Sequence, residues 1–227
     1  MTGITIVLLP AFISLGHWQW ERAAHRRAEW LSFARGDDAP RPLGAQKLDE
    51  LPRFQRISVT GTYLPQHQFL LDNRTHAGQA GYEVLTPFRI DDGRLLLIDR
   101  GWVAFTGYRA RLPDVTFSPG ATPAQISGRI DELPSAGLAS GRAPPPEGPD
   151  WPKVTSYPSA SQLATALGAP LARRILLLDR AAPQGYVRDW QPPGMDPQRH
   201  LSYALQWWTF AAILAGLYVF LNLRPAA

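Results

Sequence analysis

The sequence predicts a membrane protein in which two transmembrane α-helices, one at each end, flank a β-rich α+β domain. Three observations carry this. An uncharged apolar block stands at each end of the 227 residues, side chains alternate between apolar and polar through the middle, and only 19% of residues are charged. That charge content is low for a soluble domain of this size.

The first block, 3–20, reads GITIVLLPAFISLGHWQW and has no formal charge before Glu21. About 20 such residues span a bilayer. Pro10 is expected to kink this helix without excluding it, because a membrane helix re-satisfies the freed carbonyl internally. A cleaved signal peptide would carry a basic start and a small-x-small cleavage site. Neither is present, so the expectation is a retained anchor, transmembrane helix 1, over 1–20. From Glu21 to about residue 36 the run ERAAHRRAEWLSFAR favours helix, so the anchor is expected to continue out of the bilayer until DDAPR stops it.

Strand signals follow. Phe54 to Thr62 (FQRISVTGT) alternates as a half-buried strand does. Residues 68–71, 82–90, 94–98, 125–130 and 174–178 read the same way, with a hairpin turn at Asp91-Asp92-Gly93. Residues 133–150 are rich in Pro and Gly and read as an exposed loop. Ser159 to Leu167 is a short helix with Ser159 or Ser161 as its N-cap and Gly168 as its stop. The β-rich domain is thus expected over 37–198.

The second block, 199–223, is the stronger span. Ten Leu, Ile, Phe or Val residues lie between Leu201 and Leu223, each contributing roughly −0.3 to −0.6 kcal/mol at mid-helix. Tyr203, Trp207, Trp208 and Tyr218 sit where interface aromatics belong. Residues 224–227 form a short tail. Two spans put both termini on one side of the membrane. A simple count of flanking arginines puts the domain in the cytoplasm, but that rule weakens over so long a connection, and orientation stays open on this ground.

Composition excludes several function classes. Cysteine is absent, which removes disulfides, thiolate metal sites and cysteine catalysis. The net charge is +4, with Lys47 and Lys153 the only lysines. No basic stripe interleaves with aromatics, so nucleic acid is not an expected partner. No G-x-S-x-G, H-E-x-x-H, P-loop or G-x-G-x-x-G occurs, and the chain is not read as an enzyme.

Three apolar runs end in Asp and Arg: LLDNR at 70–74, LLLIDR at 95–100 and LLLDR at 176–180. They read either as strand-end ion pairs and turns or as a rim gathering Arg74, Arg100 and Arg188 toward a ligand carboxylate. Asp72, Asp99 and Asp179 are the paired-carboxylate candidates. His200 sits at the mouth of the second span. At 3.6 residues per turn it shares a face with Ala204, Trp207, Ala211, Ala215 and Tyr218. That face suits either a flat macrocycle, with His200 as an axial iron ligand, or a helix–helix seam built on small residues. His17, at the end of the first span, could approach His200 if the helices pack side by side.

LGHWQWER (15–22), LDNR (71–74) with GYEVLTPF (81–88), RGWV (100–103) and RDWQPPGMDPQRHLSYALQWW (188–208) occur in that order between the two apolar blocks. In this the chain resembles the Surfeit locus protein 1 family of cytochrome c oxidase assembly factors. One departure is Ala104, which follows RGWV where members often have Pro. The resemblance implies a non-enzymatic protein of a bacterial cytoplasmic (inner) membrane, with both termini cytoplasmic and the domain periplasmic. No mitochondrial transit peptide is visible, which favours the bacterial setting. Its partners would be membrane lipid, the haem-bearing oxidase subunit and other assembly factors. It also implies haem a as a transiently bound cofactor, with His200 as the metal ligand. Trp207 would then pack on the ring, Tyr203 and Gln206 would hydrogen-bond its substituents, and Arg74, Arg100 or Arg188 would neutralise propionates. The alternative is a membrane-tethered scaffold that stabilises the immature subunit without ligating haem.

Overall fold

Strands form where the alternation was read, and they continue further than it indicated. In the computed structural model residues 2–35, 39–118, 123–135, 141–192 and 194–222 are described. The tail at 224–227 and residues 136–140 of the predicted loop lie outside them. The chain divides into two compact units, a helix pair (Met1–Arg35 with Gln191–Ala227) and a β domain (Gly36–Trp190).

In the β domain the strands are β1 (Arg41–Pro42), β2 (Arg56–Tyr63), β3 (Phe69–His76), β4 (Gln79–Ile90), β5 (Leu95–Ala104), β6 (Ala124–Glu132), β7 (Lys153–Thr155) and β8 (Arg174–Leu178). Their order is β1-β2-β6-β8-β5-β4-β3-β7, and β2 pairs additionally with β4. That extra pairing closes β2, β6, β8, β5 and β4 into a ring, with β1, β3 and β7 outside it. Closure removes the free edges that an open sheet would expose.

Gly61 is where the ring closes. It pairs with Ala124 on β6 and with Ile90 on β4. A Cβ placed there would stand 2.1 Å from the Arg89 carbonyl oxygen, so only a residue without a side chain fits. Inside, Ile57, Val59, Tyr63, Phe88, Leu96, Ile98, Ile130 and Leu176 form one apolar cluster. Phe69, Leu71, Leu85, Leu97 and Ile175 form a second, against Leu163 of the helix α2 (Ala160–Leu167). Burial on both sides explains why β5 reads as a continuous apolar run.

Helix α2 is set by its ends. The Ser159 side chain accepts from the Gln162 backbone N–H and Gln162 reaches back to the Ser159 N–H, a capping box. Gly168 ends it in the left-handed conformation at φ 66°.

The other unit pairs α1 (Thr2–Arg35) with α3 (Pro197–Asn222). Helix α1 is unbroken through Pro10 and through the polar extension. Among the described residues α3 is the one helix long and apolar enough, by length and composition, to cross a membrane. Small residues make the seam. Ala23 of α1 and Ala204 and Ala211 of α3 are buried. The Trp208 indole lies where a Cβ on Gly16 would be, 2.3 Å from its Nε1. Phe12 stacks on Trp207 at 5.7 Å, and Trp20 faces Trp208 at 6.0 Å.

Candidate functional site

On α3 the residues of interest divide between the seam and its margin. Ala204 is 1% and Ala211 6% exposed, so α1 covers the middle of the face on which a macrocycle had been envisaged. The helix–helix seam is what occupies it. Trp207 is half-buried on Phe12, whereas Tyr203 and Gln206 are exposed on the flank.

His200 is half-buried at the end of this seam. Its Nδ1 lies 2.7 Å from Oε1 of Gln19 on α1. With the Gln19 oxygen turned toward it, the ring fits as the Nδ1–H tautomer, Nδ1 donating. In that tautomer the lone pair lies on Nε2. His17 does not meet His200; it pairs with Glu21 at 3.2 Å and its side chain is 68% exposed. Gln19 is the residue that sequence reasoning missed. The signal was there, since Phe12, Gly16, Gln19 and Ala23 recur at helical spacing and form the stripe that meets α3.

The arginines belong to the β domain: Arg100 and Arg188 are electrostatic neighbours that share Tyr63, and Arg74 is engaged by Glu83. In LDNR the strand bulges between Leu71 and Arg74, with Asn73 at φ 61°. The bulge re-aims Arg74, which pairs with Glu83 at 3.1 Å and lies 5.5 Å from the Tyr157 ring centre. Arg100 is 1% exposed. Its guanidinium lies between the rings of Phe117 (3.8 Å) and Tyr186 (4.8 Å). It donates to the Gln184 carbonyl at 2.8 Å and to Gln68 Oε1 at 3.0 Å. Thr86 donates to the same oxygen at 3.0 Å. Arg188 donates to the carbonyls of Asp179, Ala182 and Tyr186. In RGWV the glycine has φ 109°, and a Cβ on it would meet the Val187 carbonyl at 2.5 Å. The motif therefore joins β5 to the segment bearing Arg188 through the bridge from Trp102 to Val187.

The Asp and Arg of each run do not pair with one another. Asp72 meets Arg109 at 2.9 Å, Asp179 meets Arg56 at 2.5 Å and Ser127 at 2.6 Å, and Arg180 meets Asp189. Asp99 is buried, accepting from the Gly101 N–H at 3.0 Å. Burial pushes its carboxyl well up, and the Glu83 carboxylate adds to this. Burial likewise raises Glu83 and Asp131.

An acid whose pKa rises on folding binds its proton more tightly in the folded state. The stability this contributes is full below the unfolded values of 3.8 and 4.5 and is lost as pH climbs through the raised values. Asp99→Asn keeps an acceptor for Gly101 and removes the titration. Its thermal midpoint, relative to the parent, is expected to rise as pH goes from about 4 to about 8. Parallel curves for the two proteins would contradict that.

A model of the SURF1 family matches residues 6–212. An uncharacterised SURF1-like protein of Mycobacterium tuberculosis (strain H37Rv) is 29% identical over 222 residues, 94% of this chain and 79% of that protein. A SURF1-like protein of Monosiga brevicollis is 27% identical over 187 residues, 74% of this chain and 66% of its own. One of Rickettsia felis is 29% identical over 101 residues, 44% of each.

Proposed function

The chain belongs to the SURF1 family, which is implicated in cytochrome oxidase assembly, and from that premise we propose that it binds haem a and assists its insertion into the oxidase subunit. The observation that supports this best is the His200 imidazole, held through Nδ1 by Gln19 of the other helix, which suits the tautomer with its lone pair on Nε2. That is the donor arrangement of an axial iron ligand. The residues fit a haem that reaches Nε2 at the margin of the seam, with exposed Tyr203 one turn on from His200 and exposed Gln206 about 120° round the helix from it. They do not fit a ring lying along the whole face, because Ala204 and Ala211 are covered. When bound, the haem supplies the iron; the chain orients His200 and offers the Tyr203 hydroxyl and Gln206 amide to ring substituents. Trp207 stacks on Phe12 within the same face. The role is holding and handover, with no reaction step of its own. None of it rests on Arg74, Arg100 or Arg188, which lie in the other unit.

In this reading α1 crosses the membrane beside α3, in a bacterial cytoplasmic membrane, with both termini cytoplasmic and the β domain periplasmic. The haem-bearing subunit of the oxidase is the partner that receives the haem.

The scaffold alternative draws on the same seam. Covered small residues and a His200 engaged by Gln19 also describe a helix pair built to grip another protein, with no haem. The spectrum of the protein purified from cells that make haem a separates the two. A haem a absorption that disappears in His200→Ala is the expected result. Absence of haem from both proteins despite a supplied pool, with oxidase matured normally by His200→Ala, would favour the scaffold.

A further inference from the structure

We infer that Gln19 is the positioning residue for His200: its side-chain oxygen selects the Nδ1–H form of the imidazole and aims Nε2 at the iron. This rests on the haem reading above and assigns a role to a residue on the other helix.

The geometry carries it. Gln19 Oε1 and His200 Nδ1 are 2.7 Å apart, and both side chains are half-buried at the seam. An imidazole in water exchanges freely between two neutral forms, and in one of them Nε2 carries the proton and cannot bind a metal. A single acceptor at Nδ1 removes that form. It also fixes the ring's rotation, because the hydrogen bond is directional. Gln19 is itself placed by packing, with Gly16 and Ala23 of the same stripe buried on either side. The seam is therefore the support for the ligand, and the two functions of the face, helix packing and iron ligation, are one arrangement.

The neutral acceptor suits a carrier. A carboxylate at position 19 would draw the Nδ1 proton more strongly and make the ring a stronger donor to iron. An amide holds the ring with less of that push, which eases release.

Three variants test this. Gln19→Leu fills similar space without an acceptor and is expected to weaken haem a binding about 10–100-fold, the usual loss when the partner of a ligating histidine is removed. Gln19→Glu restores an acceptor; it is expected to recover binding and to shift the haem reduction potential downward. If the role were only to fill the seam, Leu and Gln would bind haem alike and Glu would disturb binding more than Leu; that pattern would overturn the proposal. Gln19→Asn is one methylene shorter and is expected to behave as Leu does.

A second readout needs no haem. Nitrogen-15 NMR of the full chain, labelled at histidine and free of haem, reports which ring nitrogen of His200 carries the proton. Nδ1 protonated in the parent, with mixed forms in Gln19→Leu, is the expected result. Nε2 protonated in the parent means that the amide presents its NH2 instead, and the proposal falls whatever the haem data show. If the Nδ1–H form depends on Gln19 while haem never binds, the orientation stands and the haem reading fails.

Discussion

Gly61→Ala is expected to remove about 3 kcal/mol or more from the stability of the β domain, a larger effect than core overpacking usually gives. The added methyl would stand 2.1 Å from the Arg89 carbonyl oxygen and 2.7 Å from the Phe88 ring. The first of these is backbone and cannot rotate away. Because Gly61 pairs on both sides, relief requires β2 to part from β4, and that pairing is what closes the ring. For a domain of this size such a loss lowers the thermal midpoint by about 6–12 °C. Circular dichroism of the detergent-solubilised protein measures it, with exposed Thr62→Ala as the neighbouring control. Equal midpoints for Gly61→Ala and the parent would show that the ring is not closed at this point.

Arg100→Ala is expected to cost about 3–5 kcal/mol, combining the cavity left between two rings with stranded buried acceptors. The Gln184 carbonyl loses its donor, and Gln68 Oε1 keeps only Thr86. Arg100→Lys retains a charge but neither the fork nor the flat stacking surface, and is expected to recover less than half of the loss. Urea unfolding checks both. The propionate role expected from the sequence makes the opposite forecast, a stable domain with weakened haem. An unfolding midpoint unchanged in Arg100→Ala would therefore restore Arg100 as a ligand-facing residue.

Local signals were legible and pairwise geometry was not. The alternation in FQRISVTGT, the cap at Ser159 and the stop at Gly168 depend on neighbours in the chain, and each is found in the fold. Strands β1 and β7 were missed because two and three residues give no periodicity; they exist by pairing in parallel with β2 and β3. The ring was hidden because a β2–β4 pairing has no local signature. LDNR, which the sequence allows as a strand-end ion pair, a turn or part of an arginine rim, is a bulge; the Asp and Arg of each run meet other partners, Asp99 on its own strand and the rest elsewhere in the chain. For His200 the sequence offered two uses of one face; burial of Ala204 and Ala211 puts the seam over its middle and leaves His200 at the margin. The stripe of Phe12, Gly16, Gln19 and Ala23 marks a packing face in the sequence, but the partner of the Gln19 amide is set only when the second helix lies beside it.

The hydrogen bond between positions 19 and 200 also has a history in time. Its two halves are 181 residues apart, which a ribosome takes roughly 10–35 s to cover. Through that interval the first helix is made and its acceptor has nothing to accept. A chain cut short anywhere in the β domain would own the acceptor without the imidazole. On the proposed haem reading, competence to hold a metal through this pair arrives last, and a copy cut short in the β domain has no means of sequestering the cofactor here.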